Sequence, residues 1–286
     1  MGFLRSIGVT LEMIKWEHSV FALPFALCGA MLAAGGMPSG RQLLWIVVCM
    51  ISARSAAMAF NRVADEAIDK ANPRTATRAL PAGLLSRNFV IAFVLVACAM
   101  FIFSAAQLNQ LTFRLSPVAL AVVLFYSYTK RFTRWSHLVL GLALGIAPAA
   151  AWIAVRGSLD VRILILTAAV TLWVGGFDIL YACQDYEFDR ENGLNSVPQS
   201  LGIAKALLMA RVLHLQVLIL LAALIVVFNL GWLAVAGLFC VSVLLAYEHS
   251  LVRPNDLSKM NAAFFTMNGV IAVVFFAFIA ADLLWR

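Results

Sequence analysis

Charged residues are scarce in this sequence. Asp, Glu, Lys and Arg make up 12% of the 286 residues, whereas hydrophobic residues make up 63%, and the mean hydropathy is +0.94. A soluble domain carries roughly 25% charged residues and about half apolar ones. The composition therefore excludes an ordinary soluble domain and indicates that most of the chain lies in lipid.

Cysteine and histidine are also few. The five cysteines show no CxxC spacing and fall in or beside apolar runs, so we interpret them as small buried hydrophobic residues. The four histidines are scattered along the chain. Because zinc sites need Cys and His ligands at close spacing, this pattern argues against a zinc site.

Long apolar runs dominate the chain. Each is close to the ~20 residues that a helix needs to cross about 30 Å of hydrocarbon. None sustains a strict polar/apolar alternation, which argues against an outer-membrane barrel. We predict an all-α integral membrane bundle of nine helices, forming a single membrane domain over 1–286. The predicted spans are 19–36, 42–60, 88–107, 113–129, 136–155, 161–183, 206–229, 232–250 and 262–284.

The positive charges predict the orientation of these spans. If the N-terminus is cytoplasmic, fifteen of the 21 Lys and Arg residues fall on the cytoplasmic side and five on the other, with Arg54 inside a span. Cytoplasmic segments of membrane proteins are enriched in Lys and Arg. We therefore expect the N-terminus on the cytoplasmic side of the membrane and the C-terminus on the opposite side. The net charge of +7 then needs no nucleic acid to explain it, because anionic lipid lies at this face.

Two of the predicted cytoplasmic connections, 61–87 and 185–205, share a pattern. Asp65 and Asp69 are followed by Lys and Asn, and Asp185 and Asp189 by Arg and Asn, so both segments fit D-x3-D-[K/R]-x-N. One segment follows the second span and the other follows the sixth. This recurrence suggests a weak internal repeat with two halves, about 1–130 and 131–286, that face each other.

The acidic residues are spaced as stripes on helix faces, because residues three or four apart share a face. One stripe contains Asn61, Asp65 and Asp69, with Arg54 two turns earlier. The other contains Asp178, Tyr181, Asp185 and Asp189. An ionisable residue inside a span costs at least ~2.5–3.5 kcal/mol, so such residues mark function or pairing. The alternative is that these carboxylates are solvated loop charges paired with nearby Lys and Arg.

Clustered carboxylates repel one another and are stable as anions only around cations. Oxygen ligands select hard divalent ions, and Mg²⁺ is commonly held by carboxylates together with substrate phosphates. Basic and aromatic residues that suit a diphosphate follow the first acidic pair or end the fourth span. They are Arg74, Arg78, Tyr126, Lys130 and Arg131.

The segment between residues 70 and 83 contains Pro73 and Pro81. Because proline disrupts a helix interior, we predict a loop here that caps a site. We expect this site to bind the anionic head of a membrane-embedded substrate through Mg²⁺, with the diphosphate as the leaving group.

These motifs resemble the UbiA superfamily of membrane prenyltransferases. The resemblance rests on N-x3-D-x3-D from Asn61, followed by NPRTATRALPAG, on YSYTK at 126–130 and on YACQDYEFDRENG at 181–193, and it covers essentially the whole chain. IKWEHSVFALPFAL and NSVPQSLG look most like bacterial 4-hydroxybenzoate polyprenyltransferase-like members. Some relatives of that subgroup instead prenylate a naphthoate in menaquinone synthesis.

The resemblance implies a UbiA-type helical bundle with a large central cavity, open to lipid and capped on the cytoplasmic side. It implies Mg²⁺ bound through four carboxylates and Asn61, and a diphosphate bound or shielded by basic and tyrosine side chains. The implied metal ligands are Asp65, Asp69, Asp185 and Asp189, and the implied diphosphate residues are Arg74, Arg78, Tyr126, Lys130 and Tyr181. Arg54 falls where relatives place a basic residue toward the carboxylate of an aromatic acceptor. Arg62 is a departure, since many members carry an acid there.

The expected reaction is attack of an electron-rich ring carbon on an allylic cation shielded by aromatic faces such as Tyr126. Asp178 is expected to accept a hydrogen bond from the acceptor phenol or to take the ring proton. The alternative for Asp178 is a structural hydrogen bond between helices, and for Arg54 it is an ion pair with Asp178 or Glu17.

Other functions fit the sequence less well. A transporter would spread ionisable residues across the membrane depth, whereas here the acids gather on one side, with only Asp160 and Asp282 near the other. A CDP-alcohol phosphotransferase would carry a longer acidic signature that is absent. Within the superfamily, a dihydroxynaphthoate, a haem, a chlorophyllide or a glycerol phosphate remain alternative acceptors.

Overall fold

The computed structural model describes residues 3–14, 22–260 and 266–285. These residues form thirteen α-helices and, apart from one isolated bridge between Arg253 and Asp256, no β structure. The helices are α1 Phe3–Met13, α2 Leu23–Ala34, α3 Gly40–Ala64, α4 Glu66–Ala71, α5 Arg87–Ala106, α6 Gln110–Thr129, α7 Ser136–Arg156, α8 Leu164–Ala182, α9 Tyr186–Glu191, α10 Val197–Leu201, α11 Ile203–Val227, α12 Trp232–Ser250 and α13 Asn268–Trp285.

The all-α membrane fold is confirmed. In the part of the chain that the structure describes, eight segments are long and apolar enough to cross a membrane, and each matches one predicted run from 42–60 onward. In the first predicted run, 19–36, the helix that the structure describes is α2, which is only 12 residues long. Its residues 19–21, together with Glu17 and His18, lie outside the described residues. Large apolar side chains such as Leu95, Val96 and Phe239 are exposed on the outer faces, as lipid contact requires.

Several helices begin at a side chain that accepts a hydrogen bond from the first helical turn. Ser39 accepts from the Gln42 N–H in a capping box at the start of α3. Asn109 accepts from Thr112 N–H at the start of α6, and Ser86 caps α5. These caps satisfy backbone donors that would otherwise lack partners. They fix where the connections end and the spans begin.

Two long helices break at an aspartate. Helix α3 ends before Asp65, whose φ and ψ are −100° and 11°, and the six-residue α4 follows. Helix α8 continues as a 3₁₀ turn to Asp185, with φ and ψ of −97° and 9°, and the six-residue α9 follows. The predicted stripes therefore do not run along unbroken helices. The same backbone kink occurs in both copies of the repeated pattern.

Small residues allow the central helices to approach closely, as is common in membrane bundles. A Cβ on Gly29 of α2 would lie 2.3 Å from the carbonyl oxygen of Pro148 in α7, and a Cβ on Gly141 of α7 would lie 2.2 Å from the carbonyl oxygen of Thr171 in α8. Aromatic side chains fill the core beside these contacts, with the Phe25 and Trp173 rings 4.9 Å apart. The packing holds α7 and α8 together as one wall of the bundle.

We expect Gly29→Ala to destabilise the protein by about 1–3 kcal/mol, because the added methyl group meets the backbone of Pro148 and not a mobile side chain. Gly40→Ala is the control, since a Cβ there meets nothing within 4 Å. Thermal unfolding of the two purified variants in the same detergent measures the difference. Equal melting temperatures would contradict the close packing of α2 on α7.

Candidate active site

A cavity of about 870 Å³ opens among α3, α6, α7 and α8. Its polar lining comes from the C-terminal ends of α3, α6 and α8 and from the adjoining segments, so it lies at one end of the bundle, which we call the carboxylate end. Ten of the predicted site residues line the cavity: Arg54, Asn61, Asp65, Arg74, Arg78, Tyr126, Lys130, Asp178, Tyr181 and Asp185.

The deeper lining of the cavity is apolar. Met50, Phe101, Ala147 and Val174 contribute to it. Met50 precedes Asn61 by eleven residues in α3, which is roughly 16 Å along a helix. The cavity therefore joins a charged end to a long apolar section, a shape suited to an amphipathic substrate.

Arg74 joins the two acidic segments. Its Nε and NH2 atoms lie 2.9 and 2.6 Å from the two carboxylate oxygens of Asp185, and NH1 donates to the Tyr181 hydroxyl at 3.1 Å. Asn72 Nδ2 also donates to Asp185 at 3.1 Å. Planar, two-pronged pairing of this kind is the strong form of an Arg–carboxylate contact. The loop after α4 is thereby fixed against the end of α8.

The two aspartates of the first acidic segment, Asp65 and Asp69, contact other basic side chains. Asp69 is buried and accepts from Arg78 NH1 at 2.6 Å and from Arg62 NH1 at 3.4 Å. Asp65 accepts from Asn61 Nδ2 at 2.9 Å, and Arg131 NH2 lies 3.6 Å from its other oxygen. Burial, with the negative charge of Asp69, raises the pKa of the Asp65 carboxyl above its usual value. A metal cation bound at Asp65 would stabilise the ionised carboxylate and so lower its pKa again.

In the second acidic segment, as in the first, the second aspartate is buried beside a basic side chain. Asp189 is fully buried, and Lys130 Nζ lies 2.6 Å from its carboxylate. The Leu194 N–H donates to the Asp189 carbonyl at 3.0 Å. The N–H of Asn195 donates to the Lys130 carbonyl at 2.9 Å. Segment 194–197 is therefore tied to both Lys130 and Asp189.

Asp178 lies in α8, seven residues before Asp185 and further into the cavity. Its Oδ2 atom is 2.7 Å from His137 Nδ1 at the start of α7. Asp178 is partly exposed to the cavity, whereas His137 is buried. Arg54 of α3 lines the same cavity, and no ion pair joins Arg54 to Asp178 among the described residues. Glu17, the other partner considered for Arg54, lies outside them.

Three predicted site residues do not line the cavity. Asp69 and Asp189 lie behind Asp65 and Asp185, and Arg131, with a half-exposed side chain, reaches the carbonyl of Ala64 from outside. In the described ranges no three His, Cys, Asp or Glu side chains meet as a ready-made metal site. The predicted single cluster of four carboxylates is therefore divided among Arg and Lys partners, because unshielded like charges repel.

The sequence offered little sign of three further residues of the site. Arg62 departs from the family pattern, but it is buried and contacts Asp69. Asn72 belongs to the repeated pattern, which could have identified it. His137 was one of four scattered histidines, and nothing near it in sequence signals its contact with Asp178.

The donor set fits a hard divalent cation. Asp65 and Asp185 bring carboxylate oxygens from the two acidic segments to one cavity, and Asn61 adds an amide beside Asp65. Oxygen donors of this type suit Mg²⁺. Asp69 and Asp189 are the remaining carboxylates of the two segments.

Sequence comparison finds many relatives. The chain is 33% identical over 267 residues to the 4-hydroxybenzoate octaprenyltransferase of Vibrio cholerae, covering 93% of each protein. It is 30% identical over 284 residues to the enzyme of the same name from Saccharophagus degradans, covering 98% of this chain and 90% of that one.

Solved structures share the fold. The apo structure of a UbiA homolog from Aeropyrum pernix K1 superposes with a TM-score of 0.86 at 33% identity, covering 94% of this chain and 98% of that one. A UbiA homolog from Archaeoglobus fulgidus, bound to DMAPP and Mg²⁺, has a TM-score of 0.71 at 19% identity, covering 96% and 98%. The model of the UbiA prenyltransferase family matches residues 22–278. The chain belongs to the UbiA prenyltransferase family.

Proposed function

We propose that this protein transfers a polyprenyl group from a polyprenyl diphosphate to a ring carbon of an aromatic acid, with Mg²⁺ as cofactor. The acceptor is 4-hydroxybenzoate, and the product serves respiratory quinone biosynthesis. The observation that carries this proposal is the junction of two acidic segments, rich in Arg and Lys, over a cavity with an apolar interior. The names of the relatives with 30–33% identity support it.

In this proposal, Asp65, Asp69, Asp185 and Asp189, with Asn61, hold Mg²⁺. The ion supplies neutralisation of the diphosphate charge and stabilisation of the leaving group. The likeness to the Archaeoglobus structure with DMAPP and Mg²⁺ supports the fold of such a site.

Arg74, Arg78, Lys130 and Tyr181 bind the diphosphate from the same end of the cavity. Each of the three cations already contacts a carboxylate of the acidic segments, so each is placed within a side chain's reach of a bound anion. Arg131 contributes positive charge from outside the cavity. The apolar section holds the isoprenoid tail.

The acceptor lies between Arg54 and Asp178. Arg54 pairs with its carboxylate, and Asp178 accepts a hydrogen bond from its phenol. The C–O bond of the allylic diphosphate breaks and its electron pair leaves with the diphosphate. The ring carbon ortho to the hydroxyl forms the new C–C bond and then loses its proton, giving prenylated acid, diphosphate and one proton. Tyr126 shields the allylic cation.

The site would act at the cytoplasmic face of the bacterial inner membrane. The excess of Lys and Arg at the carboxylate end supports an orientation with the N-terminus inside. The polyprenyl diphosphate then reaches the cavity from the bilayer, and the aromatic acid reaches it from the cytoplasm.

We expect Asp65→Ala and Asp185→Ala to lower turnover by at least about a hundredfold, because each removes a carboxylate that would hold the metal and diphosphate. Formation of prenylated acid from 4-hydroxybenzoate, a polyprenyl diphosphate and Mg²⁺ is the assay, and EDTA should abolish wild-type activity. Glu187→Gln is the matched control, since Glu187 is an exposed carboxylate in α9 that pairs with Arg190. Full turnover by folded Asp65→Ala or Asp185→Ala would refute the metal assignment.

We expect Arg54→Ala to raise the KM for 4-hydroxybenzoate by about tenfold or more, the loss typical of a charged hydrogen bond. The KM for the polyprenyl diphosphate should stay unchanged, because Arg54 lies away from the acidic segments. Arg156→Ala, at the opposite end of α7 and exposed, is the control. An unchanged KM for the acid in Arg54→Ala would remove its proposed role.

The second candidate acceptor is a dihydroxynaphthoate, which also presents a carboxylate and a hydroxyl to Arg54 and Asp178. We expect membranes given both acids and a polyprenyl diphosphate to yield prenylated 4-hydroxybenzoate as the main product by mass spectrometry. A main product derived from the naphthoate would replace our choice of acceptor and keep the chemistry. No prenylated aromatic product from either acid, with Mg²⁺ present, would contradict the proposed function.

A further inference from the structure

We infer that His137 is the residue that positions the Asp178 carboxylate toward the aromatic acceptor. The inference rests on the proposed function, since it concerns the hydroxyl end of the acceptor pocket. His137 and Asp178 come from different helices, α7 and α8, and both line the cavity.

The two ring nitrogens of His137 have separate partners. Nδ1 lies 2.7 Å from Asp178 Oδ2, and Nε2 accepts a hydrogen bond from the backbone N–H of Val197 at 3.3 Å. A backbone N–H only donates, so Nε2 must carry the lone pair and Nδ1 the proton. These bonds assign a neutral imidazole whose Nδ1–H donates to the carboxylate.

This hydrogen bond leaves the other oxygen of Asp178 for a ligand. The Asp178 side chain is 23% exposed and that of His137 only 5%. Among the described residues no hydrogen bond is made to Asp178 Oδ1. When one oxygen of a carboxylate is fixed by a hydrogen bond, its second oxygen points in one direction. The side chain is then already ordered before the acceptor binds, so binding loses less conformational entropy.

The neutral state of His137 also decides what Asp178 can do. A charged imidazolium would draw the carboxylate into an ion pair, whereas a neutral N–H donor leaves Asp178 an anionic acceptor for a phenol O–H. His137 does not touch the acceptor in this arrangement. It is a positioning residue, and its effect reaches the substrate through Asp178.

The Val197 contact connects this pair to the diphosphate end of the site. Val197 and Ser196 are fully buried, and their segment is bound to Lys130 and Asp189 as described above. The imidazole therefore spans the gap between Asp178 and a fixed backbone. These two bonds define the orientation of the ring.

Two isosteric substitutions separate the two ends of the imidazole. In His137→Asn the amide nitrogen takes the place of Nδ1, so the donor to Asp178 is kept and the acceptor for Val197 is lost. In His137→Gln the amide oxygen takes the place of Nε2, so the Val197 bond is kept and the donor to Asp178 is lost. Val197→Pro removes the backbone N–H and keeps an apolar side chain, and proline suits this position because Val197 is the first residue of α10 and Ser196 is extended.

The experiment is steady-state kinetics of prenylation with 4-hydroxybenzoate, a polyprenyl diphosphate and Mg²⁺, alongside melting temperatures in detergent. His137→Gln should raise the KM for 4-hydroxybenzoate by about tenfold or more, the effect of misdirecting a charge-assisted hydrogen bond, with the KM for the diphosphate unchanged. For His137→Asn and Val197→Pro, the KM for 4-hydroxybenzoate and the KM for the diphosphate should both stay within about threefold of the wild-type values. His249→Asn and His249→Gln are controls, since His249 pairs with His214 outside the cavity lining.

Equal loss in His137→Asn and His137→Gln, or a loss in Val197→Pro that matches His137→Gln, would overturn the inference and leave His137 a purely structural link. If the wild type is active, either of these two outcomes leaves the proposed function of the protein unaffected. An inactive wild type would instead refute the proposed function. The two failures are thus distinguished in the same assay.

Discussion

The site depends on the pairing of the Arg74 guanidinium with the Asp185 carboxylate. This contact joins the loop that follows α4 to the end of α8, two segments separated by more than one hundred residues. The Arg74 side chain also lies over the Tyr181 ring, 5.3 Å from its centroid. Breaking a partly buried pair of this kind leaves an uncompensated charge. The Asn72 amide, which also donates to Asp185, reinforces this link between the two acidic segments.

The same need for charge compensation explains the other contacts at this end of the bundle. Each of the four acidic side chains has an Arg or Lys partner, since anions in a low-dielectric region require one. In our proposal, Mg²⁺ takes over this compensation, and Arg74, Arg78 and Lys130 then turn to the diphosphate. The site would exchange one set of ion pairs for another on binding substrate, which keeps the net charge of the cavity nearly balanced.

Much of the architecture could be predicted from the sequence because long apolar runs and charged segments obey simple rules. The spans from 42–60 onward and the loop around Pro73 and Pro81 were found in this way. The kinks at Asp65 and Asp185 were not, because a spacing of four residues fits a continuous helix equally well. The repeated pattern did signal that both segments would share a conformation.

Side-chain partners were harder to predict than the residues themselves. Ten predicted site residues line the cavity, but the sequence does not show that Asp69 and Asp189 lie behind it or that Arg131 faces outward. His137 was missed because its partner lies 41 residues away on the next helix. Contacts between helices depend on their rotation and depth, which hydropathy does not report.

The central claim is that both acidic segments share divalent cations at the carboxylate end of one cavity. A structure of the purified protein with Mn²⁺ and a non-hydrolysable prenyl thiodiphosphate tests it directly, since anomalous scattering locates the metal. We expect the metal between the segments, with carboxylate oxygens from the Asp65 side and the Asp185 side among its ligands. Metal bound to only one segment, or away from both, would contradict this account.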